Sequence, residues 1–181
     1  MTADVAQLAE RRAVTRFVAL AGTTAVLVFV ADALTKRAAV DALAQGEARE
    51  IVPGWLVLTH VRNTGTAYGM LADHGWLVLP LSLIAAVVVP LVLWRGGFWR
   101  ERPLLGGLSA GLILGGALGN LLERIQSGAV TDFLQVPNIV LFQVFNVADA
   151  SICVGAAVVL VLGFLDRSEA TADAPAEGER R

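Results

Sequence analysis

Cysteine, histidine and lysine are scarce in this 181-residue chain, and each shortage excludes some chemistry. The one cysteine, Cys153, cannot close an internal disulfide or supply a Cys-rich zinc or iron–sulfur site. The two histidines, His60 and His74, lack the i, i+4 spacing of a helical metal site, so no metal or other cofactor is indicated. Charge is thin as well. Only 17% of residues are Asp, Glu, Lys or Arg, against about 25% in an ordinary soluble domain. The net charge of −2 leaves no basic footprint for nucleic acid. What the chain has in excess is apolar side chains, at 56%. That composition is expected of a membrane protein.

Four apolar stretches, Phe17 to Leu34, Trp76 to Trp94, Leu104 to Leu122 and Val144 to Leu165, have the length that crosses the hydrocarbon layer as a helix. Pro80 and Pro90 interrupt the second, which a membrane helix tolerates when neighbours satisfy the freed carbonyls. The first has a rival reading as a cleavable secretory signal, with Arg11, Arg12 and Arg16 before it and Ala31-Asp32-Ala33 as a small-x-small site. A charged residue inside such a site is unusual. Residues 1–16, the link 95–103 and the tail after 165 carry three arginines each and alternate correctly to share the cytoplasmic side. Both termini are therefore expected in the cytoplasm.

The chain divides into a cytoplasmic segment 1–16, a four-helix membrane domain 17–165 and a tail 166–181 too poor in large apolar residues to fold. Residues 2 to 13 could form a short surface helix on the inner leaflet. Ile51 to Val61, with its Pro53-Gly54 turn signal, and Phe133 to Phe145, around Pro137-Asn138, are β-branched and aromatic. They predict a small extracytoplasmic sheet over the helix ends. Gly107, Gly111, Gly115 and Gly119 recur every fourth residue and predict a smooth ridge for close helix packing.

Carboxylates in or near membrane helices are costly, by about 2.5–3.5 kcal/mol at the helix centre, so Asp32, Asp132 and Asp149 need an explanation. The topology puts all three toward the outer face, with Asp149 about one and a half turns into the fourth span. Three of the four asparagines, Asn63, Asn120 and Asn146, fall in segments placed beside them, as does Arg124, four residues after Asn120 on one helical face. Two aspartates brought within a few ångströms share one proton and so offer a base and an acid at neutral pH. That equips them to activate water against an amide carbonyl. The plainer reading makes Asp132 and Asp149 helix caps or partners of Arg124. Ser151 lacks a nearby histidine, and Cys153 lies on an apolar helix, so neither has the surroundings of a nucleophile.

Four motifs, Asp32-Ala-Leu-Thr-Lys36, Asn63-Thr-Gly-Thr-Ala-Tyr-Gly69, Gly115 to Ile125 followed by Gly128 to Phe133, and Phe145-Asn-Val-Ala-Asp-Ala150, occur in that order. Together they resemble the lipoprotein signal peptidases (type II signal peptidases) of bacteria, over about residues 16–165. The resemblance implies a four-helix aspartyl protease of the inner membrane with a short amphipathic helix beside the sheet. It would act as a monomer among membrane lipid, cutting prolipoproteins before the diacylglyceryl-modified cysteine. It implies Asp132 and Asp149 as the catalytic pair. Asn63, Asn120, Arg124 and Asn146 would be substrate-binding, and Asp32, Lys36, Gly65 and Glu123 structural supports. Lys36 is the only lysine beside thirteen arginines, which favours a fitted partner over a generic interfacial anchor. Glu123 departs from the aspartate usual in that family. The competing readings are a proton-coupled transporter or channel, which needs carboxylates at several depths, and a scaffold that only packs against partners.

Overall fold

The computed structural model describes residues 2–64, 87–88, 90–92, 94–97, 100, 102–138 and 144–172. Three long helices and a small sheet make up its frame: α1 (Thr2–Ala42), β1 (Ala48–Val52), β2 (Leu56–Asn63), α2 (Pro103–Ser127), β3 (Val130–Gln135) and α3 (Val147–Ala172). All three helices are long and apolar enough to cross a membrane. Their outward faces carry large apolar side chains such as Val26, Leu27, Leu34, Leu160 and Phe164, as expected where the surrounding solvent is lipid. The expected second span lies mostly outside the described residues, and 87–88, 90–92 and 94 within it are helical. The short amphipathic helix is not among the described residues.

Two expectations change. Residues 2–13 form no separate surface helix, because α1 runs without a break from Thr2 to Ala42. At 1.5 Å per residue its 41 residues reach about 60 Å, roughly twice the hydrocarbon thickness. Ala31-Asp32-Ala33 thus lies within a continuous helix, and Asp32 is buried. The last helix also continues to Ala172, seven residues into the segment expected to be unstructured.

The glycine ridge sets the arrangement. Along α2, Gly107, Gly111 and Gly115 lie against the backbone of Phe17, Ala21 and Ala25 in turn, and Gly119 against the Asp32 carboxylate. Both sets ascend together, so α1 and α2 run parallel. Gly116 instead faces Ala148 and Ile152, while Gly155 faces Ser109 and Ile113, so α3 runs antiparallel to α2. Two parallel helices require the chain to return between them. Trp94 packs edge-on against Phe17 at 6.0 Å, so between Asn63 and Trp94 the chain travels from the sheet end of the bundle to its far end.

The sheet has the order β1-β2-β3, antiparallel throughout. Its hairpin turns at Pro53-Gly54, as the sequence predicts, with Gly54 at φ 72°. Asn138 Nδ2 donates to Gly54 O at 2.9 Å and ties the β3 exit to that turn. Beyond β3, Phe145 pairs with Leu134 and accepts at its carbonyl from the Phe133 and Leu134 N–H groups at 3.1 and 2.8 Å. That pairing delivers Asn146 beside the strand.

The ridge yields a contrast that thermal unfolding in detergent can check. A Cβ at Gly111 would sit 2.6 Å from both Ala21 O and Thr24 Cβ, whereas one at Gly22 would meet nothing within 4 Å. Gly111→Val is expected to destabilise by at least about 1–3 kcal/mol through overpacking. Gly22→Ala should be neutral or stabilising by up to about 1 kcal/mol. Equal shifts for the two would refute the ridge.

Candidate active site

The carboxylates meet at the sheet end of the bundle. Asp132 stands in the middle of β3, rather than at the end of a helix, and is 2% exposed. Its two oxygens accept from different amides: Asn63 Nδ2 on β2 at 2.8 Å and Asn146 Nδ2 at 2.7 Å. Asp149 lies in the first turn of α3, not one and a half turns in, because the helix begins at Val147. It is half-buried, and its oxygens accept from Asn120 Nδ2 at 2.8 Å and from the Asn146 backbone N–H at 3.2 Å. Asn146, fully buried, therefore bonds both aspartates, one with its side chain and the other with its backbone.

Local helix chemistry explains part of this. Asn146 caps α3, since its Oδ1 accepts from the Asp149 N–H at 2.9 Å while Asp149 accepts from the Asn146 N–H. This reciprocal pair is a capping box with aspartate at its third position. The plainer reading of Asp149 as a cap is correct as far as it goes. The cap also holds its carboxylate beside Asp132, close enough for each charge to act on the other. The Asn146-x-x-Asp149 spacing carried this signal in the sequence.

Behind the pair lies a buried cation. Lys36 Nζ sits 2.7 Å from Asp32 Oδ2, donates to Asn120 Oδ1 at 2.8 Å and lies 3.1 Å from Glu123 Oε2. An ammonium can only donate, so it fixes which end of the Asn120 amide faces it and turns the Asn120 NH2 group toward Asp149. Asn120 Oδ1 also accepts from Asn146 Nδ2 at 3.2 Å. The other Asp32 oxygen accepts from the Ala148 N–H at 2.9 Å, satisfying a first-turn donor of α3 from a different helix. Asp32 and Lys36 thus form a buried ion pair that also contacts Asn120 and the start of α3.

Glu123 faces Lys36 with one oxygen and β3 with the other. Its Oε1 accepts from the Thr131 N–H at 3.1 Å and from Thr131 Oγ1 at 2.6 Å. Thr131 was not singled out in the sequence, where a threonine inside a strand carries no chemical signal. Arg124 lies in electrostatic range of Asp149, Asp132 and Glu123, and among the described residues its buried Nε has no hydrogen-bond partner. Gly65 lies outside the described residues.

Burial, and then the negative charge of Asp149, push the Asp132 carboxyl up from 3.8 to about 6, against the lowering effect of the Asn63 and Asn146 amides. Asp132 therefore keeps its proton to a higher pH than a free aspartate does, which suits one member of a carboxyl pair to serve as acid and the other as base. Among the described residues no group of three or more His, Cys, Asp or Glu could hold a metal ion.

Comparison with known proteins follows the same line. A sequence model of the signal peptidase (SPase) II family matches residues 24–165. The lipoprotein signal peptidase of Syntrophotalea carbinolica is 38% identical over 143 residues, 78% of this chain and 89% of that one. That of Listeria monocytogenes is 37% identical over 140 residues, covering 77% and 89%. A bacterial membrane enzyme solved by the in meso method at 2.3 Å superposes with a TM-score of 0.68 at 26% identity, covering 91% of this chain and 96% of that one. A second, solved at 1.9 Å, gives 0.64 at 28% identity, covering 81% and 93%. With its family model spanning 24–165 and relatives of this similarity over most of its length, the chain belongs to the signal peptidase II family.

Proposed function

We propose that this membrane peptidase removes signal peptides from prolipoproteins by aspartyl catalysis, with Asp132 and Asp149 as the reacting pair. The observation that carries the reading is Asn146 bonding both carboxylates at one end of a membrane-spanning bundle. The bond cut lies before the diacylglyceryl-modified cysteine of the substrate, whose acyl chains remain in the lipid.

In this mechanism one aspartate takes a proton from water as the oxygen attacks the scissile carbonyl. The other donates a hydrogen bond to that carbonyl and then passes its proton to the departing amine. The amides of Asn63, Asn120 and Asn146 hold the two carboxyls in register, so little reorganisation is needed on the way to the transition state. Arg124, with its Nε unpartnered among the described residues, is placed to donate to a substrate carbonyl. Substrate contact by the asparagines and Arg124 belongs to this proposal, as does action as a monomer.

Orientation follows from charge. Arg11, Arg12 and Arg16 lie at the opposite end of α1 from Asp32, and arginine-rich ends stay in the cytoplasm. The site then faces the outer leaflet, with both termini inside. The transporter alternative finds no support, because no Asp or Glu occurs in 17–31, 75–94, 103–122 or 150–165. A proton relay would need carboxylates along those lengths.

The direct assay incubates the detergent-purified protein with a diacylglyceryl-modified prolipoprotein and follows product size. Asp132→Asn and Asp149→Asn should each lower the rate by at least about 10²–10⁴-fold, the contribution of a positioned acid or base, while the variants melt as folded proteins. Cleavage at the normal rate by either variant would exclude the pair. Titration offers a second check by infrared spectroscopy of the protonated carboxyl. The folded chain holds the Asp132 proton up to about pH 6, against 3.8 for a free side chain. Asp132 therefore stabilises the fold fully below 3.8 and loses that contribution as pH rises through about 6. Removing the neighbouring charge in Asp149→Asn should move its midpoint to lower pH, and an unmoved midpoint would mean that the two carboxyls do not interact.

A further inference from the structure

Asp132 is held in a part of the sheet where the ladder alone fixes it poorly. The β2–β3 register shifts between Leu58 and Val61, and Val61, at the edge of that irregularity, is the residue paired with Asp132. Bulges of this kind re-aim a side chain and interrupt ladder hydrogen bonds. One residue earlier, Thr131 projects to the opposite face of the strand. There its N–H and hydroxyl both donate to Glu123 Oε1, at 3.1 and 2.6 Å. The other oxygen of Glu123 lies 3.1 Å from Lys36 Nζ. The Thr131 carbonyl, in the peptide that leads into Asp132, accepts from Asn146 Nδ2 at 3.4 Å.

We propose that Glu123 and Thr131 form a clamp that sets the position of Asp132, making both positioning residues for the cleavage reaction. Glutamate has the reach for this task. One carboxylate bridges from the ammonium on α1 to the backbone of β3, and an aspartate at 123, a methylene shorter, would draw that carboxylate back from its two partners. The second donor from Thr131 makes the grip bidentate on a single oxygen, so strand β3 cannot slide or rotate about that peptide without breaking two charge-assisted hydrogen bonds. Neither residue needs to touch substrate. The clamp acts on the orientation of the Asp132 carboxylate against Asp149, and so on the chemical step.

The inference rests on Asp132 being a reacting group, and the experiment separates the two ideas. Prolipoprotein cleavage is measured at varied substrate concentration for Glu123→Asp, Thr131→Val, the double variant and Thr131→Ser. Misplacement of a reacting group by about 1 Å costs as much as 10²-fold, so Glu123→Asp should lower kcat by about 10–100-fold with KM within about twofold. Thr131→Val should lower kcat several-fold, and Thr131→Ser, which keeps the hydroxyl, should restore it. The double variant should be no slower than Glu123→Asp alone, since both changes break the same grip. The clamp is overturned if Thr131→Val retains full kcat, if serine fails to restore the rate, or if the loss appears in KM. It is equally overturned if the two single losses multiply in the double variant. Should Glu123→Asp fail to accumulate in the membrane, the comparison of valine with serine at 131 decides alone. Failure of the aspartyl reading shows itself elsewhere, as undiminished cleavage by Asp132→Asn.

Discussion

The site depends on one buried ammonium. Lys36 is 6% exposed, and three oxygens from three residues, Asp32, Asn120 and Glu123, surround its Nζ within 3.1 Å. An ammonium has three donors that point in different directions, whereas a guanidinium presents a planar fork. This geometry accounts for a lone lysine in a chain whose other thirteen basic residues are arginines. From each partner a separate path leads toward Asp132 or Asp149. Asp32 reaches the first turn of α3 through the Ala148 N–H, Asn120 reaches Asp149, and Glu123 reaches the strand that carries Asp132. Removing Lys36 from this buried group leaves two carboxylates uncompensated, a loss of about 3–5 kcal/mol.

Packing makes the cluster possible. A carboxylate at Asp32 can lie against α2 because Gly119 has no Cβ, and one there would sit 2.6 Å from Asp32 Oδ2. The same ridge draws α1 and α2 together along their length, so the polar cluster sits at the end of a dry helix contact. Water can reach the half-buried Asp149 while Asp132, Asn120 and Asn146 stay buried. Burial, and then the neighbouring charge of Asp149, are what lift the Asp132 carboxyl to about 6.

Much of this was legible in the sequence, for identifiable reasons. The glycine spacing is a direct imprint of close packing, and the structure places that ridge against α1. Scarce residue types were informative because a membrane chain has little other reason for them. Asn120, Asn146, Asn63, Arg124, Lys36 and the three aspartates all converge at one end of the bundle. Less legible was anything set by tertiary context. The position of Asp149 in its helix was misread because Val144 and Phe145 extend the apolar run toward the helix, although the chain there pairs with β3 and only then enters the helix. Thr131 was missed because its significance is a partner eight residues back on a helix. The long unbroken α1 was missed because the charged residues near its start read as a boundary, when helix formers continue straight through them.

The account stands on water activated between Asp132 and Asp149 attacking the scissile carbonyl directly. Cleavage run in ¹⁸O-labelled water with hydroxylamine present tests this in a single measurement by mass spectrometry of the released signal peptide. Direct attack predicts one ¹⁸O in its new carboxyl terminus and no hydroxamate. A hydroxamate product would reveal a covalent acyl-enzyme on some other side chain and would contradict the account.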